Sequence, residues 1–366
     1  METSLGDTPL YPRSHYVHEL RPSLSPRMFA LARSRLAFIP AHVAVIVVAT
    51  LAIACGWVPW PAVPLISVVI AASFAGLTFV GHELLHGAIV RDRRWQHALG
   101  WLTFLPFTLS PRLWQAWHNR IHHAKTNLAD DPDGYPTLER YRASAGARFS
   151  VDAFSLGGGR WRGGLSLILG FTVQSTHQLL LAREHGFMSA QQRRLAVIET
   201  ALGVVVWAVV AALVGFVPFL FVFVLPLLLA NVAVMAFILT NHSLSPRVTI
   251  DDPLISGLSV TTPPAIDWLT LRFGYHVEHH LFPAMSTRHA PAVRAAVLAK
   301  WPERYQTMPL TAALGRLHRT ARVYLDATTL IDPMTGKTFP TLLPRTTRAP
   351  VHAGEPTMLI GHAQPA

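Results

Sequence analysis

Nineteen of the 366 residues are histidine, and eight of these fall in three short clusters. The first is His82-Glu83-Leu84-Leu85-His86, the second His118-Asn119-Arg120-Ile121-His122-His123, and the third His276-Val277-Glu278-His279-His280. On a helix, residues three or four apart share a face, with Cβ atoms about 5–6 Å apart. The spacing therefore predicts that His82 with His86, His118 with His122, and His276 with His279 or His280 each grip one ion. Neutral imidazole suits iron, zinc, copper or nickel. Eight such donors exceed what a single ion takes and suit two, with positions left open for a small reactant such as dioxygen. One HxxxH would be weak evidence; three clusters, each near an apolar stretch, make a specific pattern.

The remaining histidines carry less. His97, His177 and His185 are polar spots in apolar surroundings and read as structural or interfacial. His15, His18, His289, His318, His352 and His362 give no signal. Trp114 and Trp117 suit either the wall of an apolar channel or an anchor at a membrane surface.

The elements that must position these clusters are apolar. Residues 36–82 and 200–246 contain no Asp, Glu, Lys or Arg. Each stretch is long enough for two membrane-spanning helices of about 20 residues and a tight turn. Gly56-Trp57-Val58-Pro59-Trp60-Pro61 and Gly215-Phe216-Val217-Pro218 supply the turns. Only 14% of residues are charged and 51% are hydrophobic, against about 25% charged in a soluble domain. We therefore expect an all-α integral membrane protein with four transmembrane helices in two hairpins. Arg21, Arg27, Arg33 and Arg35 precede the first hairpin, and Arg91, Arg93, Arg94, Arg112 and Arg120 follow it, whereas the turns carry no charge. The positive-inside rule then makes both termini and all three clusters cytoplasmic, at the inner membrane of a bacterium or the endoplasmic reticulum of a eukaryote.

Along the chain, residues 1–35 read as a cytoplasmic N-terminal segment, 36–325 as the membrane domain with its cap, and 326–366 as a disordered tail rich in Pro, Thr and Gly. Residues 97–110 are too short to span. Residues 163–182 are apolar but hold Gln174, His177 and Gln178, so they read as an interfacial helix or a further span. The single cysteine, Cys55, excludes disulfides and thiolate metal sites within one chain. The net charge of +11 comes from dispersed Arg without any nucleic-acid module. It suits anionic membrane lipids or a phosphate-bearing acyl carrier, not nucleic acid. A metal transporter would place ionisable residues along its spans; here only His42 and Glu199 occur.

The order HELLH, HNRIHH, HVEHH resembles the membrane fatty-acid desaturase family. Trp117-His118-Asn119, then His122-His123-Ala124-Lys125-Thr126-Asn127 and Asp130-Asp131-Pro132-Asp133, are similar to its second box and the residues after it. Gly274-Tyr275-His276-Val277-Glu278-His279-His280-Leu281-Phe282-Pro283 is similar to its third. The resemblance, over roughly residues 60–300, implies a mushroom of four membrane helices with a cytosolic helical cap holding a di-iron site. It implies two Fe ions as cofactor and O2-dependent removal of two hydrogens from an acyl chain. It adds a ninth ligand from the inner end of the fourth spanning helix, where His242 stands. Some relatives place an Asn one turn earlier; Ile238 stands there, and Asn241 is the available substitute. Carboxylates that accept from the outer ring nitrogens and so orient the histidines are expected among Glu83, Glu278, Asp131, Asp133 and Asp267.

No cytochrome b5-like His-Pro-Gly-Gly and no cysteine set for an iron–sulfur cluster occurs, so an external electron donor (ferredoxin, cytochrome b5 or a reductase) is implied. The substrate is an acyl lipid, acyl-CoA or acyl-carrier protein. His276, where desaturases acting toward the carboxyl end often carry Gln, disfavours that subclass. The nearest alternative is a hydroxylase or ketolase on the same scaffold, acting on acyl, sterol or carotenoid substrates.

Overall fold

The computed structural model describes residues 4–183 and 186–344. They are mostly helical, with three two-stranded sheets. Helix α1 is Arg13–Leu20, α2 Phe38–Ala54, α3 Val63–Leu85, α4 Arg93–Phe104 and α5 Pro111–Trp114. There follow α6 (Gly164–Leu181), α7 (Ala190–Val214), α8 (Leu225–His242), α9 (His276–Leu281), α10 (Ala290–Lys300) and α11 (Leu310–Arg319).

Among the described residues, four helical stretches are long and apolar enough to cross a membrane: Pro26–Ala54, Trp60–Leu85, Ala190–Val214 and Phe216–His242. Proline in the first turn of α3 costs little, because N–H groups there lack a partner within the helix, whereas Pro226 lies inside the continuous stretch Phe216–His242, directly after a π-helical segment, Leu220–Val224. Ser189 caps α7 in a box with Gln192. Gly215, at φ 83°, ends it in a conformation that a side chain would strain. The first and third stretches bury only 17% and 11% of their apolar windows, so most of their Val, Leu and Ile surface faces outward.

Helix α3 is the central post. It packs on α2, α4 and α8, and α8 in turn packs on α6. Gly81 makes the α3–α4 approach possible: a Cβ there would lie 2.5 Å from Thr103 Oγ1 and 2.9 Å from Phe104. Trp207 of α7 meets Phe74 of α3 and Phe223 just before α8, with ring centroids 5.6 and 4.2 Å apart. Helix α6, ambiguous in sequence, is not among the four long apolar stretches. It lies along α8, where Thr172 N–H donates to Asn231 Oδ1 at 3.1 Å.

The remaining segments gather around the C-terminal ends of α3 and α8. Strand β1 (Ser4–Leu5) pairs with β2 (Thr8–Pro9), and β3 (Ser259–Thr261) runs parallel to β4 (Thr307–Pro309). Within the expected cytoplasmic N-terminal segment, residues 4–35 contribute to this packing. Tyr16, Leu20, Leu24 and Met28 share a core with Val277, Leu281, Val293 and Val297. Tyr16 and Arg304 both donate to buried Asp252.

The expected disordered tail is corrected over residues 326–344. There β5 (Thr329–Ile331) pairs antiparallel with β6 (Thr338–Pro340). Just before it, Arg322 is buried and donates to the carbonyls of Leu156, Leu317 and Ser243, the last directly after α8. Proline and glycine there mark a tight hairpin, not disorder: Asp332 O accepts from Gly336 N at 2.8 Å. Residues 345–366, with His352 and His362, lie outside the described residues, as does His185.

Candidate metal centre

The first cluster closes α3, with His82 in its last turn and His86 at its C-cap. The second lies on a π-helix, Gln115–His122, that continues α5. In such a helix the N–H of residue i+5 meets the carbonyl of residue i, and His123 N–H reaches His118 O. This register, not an α-helical one, governs the second box. It leaves His118 stacked on His122 (centroids 5.1 Å) and also sets His123 Nε2 3.1 Å from His118 Nε2. The third cluster is on α9, and His242 ends α8.

The nine histidines form two groups. In one, the ring nitrogens of His82, His86, His118 and His279 lie within 4.8 Å of one another. His123 joins them, its Nε2 3.2 Å from His279 Nε2. In the other, His122, His242, His276 and His280 converge within the same limit. The groups share a wall, where His123 and His280 stack at 4.2 Å. All nine expected ligands are thus brought together; His82 with His86 and His276 with His280 keep the expected pairing, but His118 and His122, expected to grip one ion, fall in different groups.

Facing ring nitrogens without a proton between them repel. His276 Nε2 and His242 Nε2 are 2.5 Å apart, and His82 Nδ1 and Nε2, His86 Nε2, His123 Nδ1 and His280 Nε2 are buried without a hydrogen-bond partner among the described residues. Imidazoles at about 2.1 Å from a common cation hold their nitrogens roughly 3 Å apart. The donor set therefore fits metal ions and fits poorly any reading as a hydrogen-bonded core. Burial pushes His86, His118, His123, His276, His279 and His280 well below the usual histidine range, with their neighbours adding to the effect. They are neutral at physiological pH, the form in which imidazole can bind a metal ion.

His122 differs. Burial disfavours its charge, but Asp131, Asp133 and Asp251 outweigh this and raise it to about 9. Its Nδ1 lies 3.1 Å from Asp131 Oδ1 and 3.4 Å from Asp133 Oδ2. Asp131 is itself fixed by the N–H groups of Asn127 and Asp133, and Asp133 by Trp117 Nε1 and Gln174 Nε2. Two of the five expected orienting carboxylates are therefore in place.

The other three are corrected. Glu83 accepts from Thr287 N–H at 2.8 Å and faces Arg35 at 3.7 Å. Glu278 accepts from Ser259 Oγ, Arg294 Nε and Tyr305 OH, and Asp267 faces Arg272. Successive helical residues point about 100° apart. Glu83 beside His82, and Glu278 beside His279, thus turn away from the metal groups and fasten them to the surrounding shell. Sequence reasoning missed two other orienting groups. His242 Nδ1 donates to the carbonyl of Ser256 at 2.8 Å, and Thr126 Oγ1 lies 3.3 Å from His280 Nδ1. Thr126 had a signal in the Thr-Asn after the second box; a backbone carbonyl has none.

The aromatic surroundings are also resolved. Trp114 stacks on His118 at 4.4 Å and Trp117 holds Asp133, so both are buried braces of the centre and not membrane anchors. His97 is hydrogen-bonded to Gln115. Asn241 is buried, with its Oδ1 unpartnered among the described residues. On the apolar side of the first group, Phe273 lies 4.9 Å from the His82 ring and packs on Phe79 and Phe237.

The family model for fatty acid desaturase matches residues 56–312, which include every histidine of both groups. The chain belongs to the fatty acid desaturase family. No curated protein matches it. The desaturase match ends within α11, so β5, β6 and Arg322 lie beyond it.

Proposed function

We propose that this protein is an O2-dependent lipid desaturase of the membrane, working through a di-iron pair that introduces a C=C bond into an acyl chain. The observation that carries the reading is the pair of abutting histidine groups, buried together beside apolar helices. His82, His86, His118, His123 and His279 would hold one iron, and His122, His242, His276 and His280 the other. Such a pair, when bound and reduced, supplies O2 activation and the removal of hydrogen from an unactivated methylene, which acids and bases do not attack.

The chain's own residues supply the rest. Asp131 and the Ser256 carbonyl hold His122 and His242 by one ring nitrogen so that the other faces inward. Phe273, packed on Phe79 and Phe237, sets an apolar face against His82, suited to an alkyl chain. Holding one C–C bond of that chain at the centre is the task left to this face. The four apolar stretches would span the bilayer in two hairpins, with the centre and both termini on the cytoplasmic side. Electrons would come from a separate donor, and the acyl group would arrive on a lipid, coenzyme A or carrier protein.

The test is expression in a host that lacks the activity, followed by mass spectrometry of its lipids. A new double bond supports the proposal, and His118→Ala or His279→Ala should abolish it. New hydroxyl or keto groups instead would assign the chain to oxygen insertion on the same scaffold.

A further inference from the structure

We infer that Asp252, clamped by the N-terminal segment and Arg304, is a positioning residue for His242. The inference rests on the reading of His242 as a metal ligand. Asp252 is fully buried, and a buried carboxylate is tolerated only when paired and hydrogen-bonded. Its Oδ2 accepts from Arg304 Nη2 at 2.8 Å and from Tyr11 N–H at 2.9 Å. Its Oδ1 accepts from Tyr16 OH at 3.0 Å and from Leu254 N–H at 3.2 Å. Arg304 closes the clamp, donating from Nε to Tyr16 OH and from Nη1 and Nη2 to the carbonyl of Pro9. Arg13 N–H holds the neighbouring carbonyl of Asp251 at 3.0 Å.

The clamp closes where the support of a ligand begins. Asp252 caps the single helical turn Pro253–Ser256. Four residues do not hold a helix by themselves, because the first turn fixes several backbone angles for one hydrogen bond. The cap and its packing must hold it. Ser256 donates from both N–H and Oγ to the Asp252 carbonyl, at 2.8 and 2.9 Å. The last carbonyls of a helix have no partner within it, and that of Ser256 accepts from His242 Nδ1 at 2.8 Å. His242 Nε2 is left to face His276. One path of hydrogen bonds and a single turn of backbone thus joins Tyr11 and Tyr16 to the ring of His242.

His122 is aimed by a carboxylate of its own. His242 has only the Ser256 carbonyl on Nδ1 among the described residues, so a shift of the turn is a shift of the ring. A clamp that merely fastened the N-terminal segment could close anywhere on the shell; this one closes four residues before the carbonyl that aims a ligand. The desaturase match begins at residue 56, so Tyr11, Arg13 and Tyr16 act from outside it.

The full-length protein in detergent, loaded with ferrous iron or in parallel with Co(II), tests this when dialysed against increasing chelator with the metal retained per chain counted. Wild type should hold two ions, and His242→Ala identifies the one that His242 binds. Asp252→Asn should weaken that ion about 10–100-fold and Tyr16→Phe about 10-fold, as for other groups that orient metal ligands. The other ion should keep its affinity in both variants. In the His242→Ala background Tyr16→Phe should cause no further loss, because nothing is left to aim. Equal loss of both ions, an unchanged affinity in both variants, or the same further loss without His242 would each overturn the inference. Tyr16→Phe keeps the ring in its core and carries the test where circular dichroism shows Asp252→Asn misfolded. Binding of Co(II) without iron would count against the di-iron reading alone, since the Co(II) affinities of the variants still decide this one.

Discussion

Three imidazoles of the second histidine group are aimed from behind, and the partner decides how each behaves. His242 has a neutral carbonyl, His280 a hydroxyl, and His122 a carboxylate. Only the last attracts a proton. Without metal, His122 titrates near 9, above the ordinary histidine value of about 6.5. Its contribution to stability is therefore fully present below pH 6.5 and is lost as pH rises through about 9. A metal ion must displace that proton. Loading the apoprotein with ferrous iron should thus release about one proton per chain from this residue between pH 6.5 and 9. Calorimetry in two buffers of different ionisation enthalpy measures it. Asp131→Asn removes the aiming charge and should lower iron affinity or activity about 10–100-fold, read by iron titration with the fold checked by circular dichroism. The histidines themselves were legible from spacing. Glu83 and Glu278 misled because adjacency in sequence places a side chain on another face of the helix.

At the level of elements, the spacing of the second box carried the right residues for an incomplete reason. An α-helix aligns His118 with His122 but swings His123 away. The π-helix over Gln115–His122 brings His123 to His118 as well, and so divides the pair His122-His123 between the two groups. Single-residue spacing does not announce a π-helix, because its register is set by the neighbours it must meet. The contact of α3 with α4 is a second case. Gly81 reads as a weak point in an apolar helix, yet it is where α4 closes on the turn that bears His82. Gly81→Ala should lower stability by about 1–3 kcal/mol through overpacking, visible as a reduced thermal midpoint.

At the scale of the whole molecule, hydropathy marked the four long apolar stretches, because their composition alone separates them from the rest. It could not indicate that the N-terminal segment and the residues after 312 close around the centre. Those contacts depend on single buried groups such as Tyr16, Asp252 and Arg322, which carry no periodic signal. The proposed orientation makes its own prediction. Cys55, the single cysteine, is exposed at the end of α2 away from the histidines. With the protein expressed in a bacterial inner membrane, a membrane-impermeant thiol reagent should label it from the periplasmic side; labelling only after the inner membrane is permeabilised would reverse the topology.

The proposed centre sets nine histidines around two irons. Metal analysis of the purified full-length protein, combined with oxygen uptake on reduction, addresses it most directly. Two irons per chain are expected, with O2 consumption that requires both reductant and iron. Zinc at the same stoichiometry, or iron without reductant-dependent O2 uptake, would contradict it.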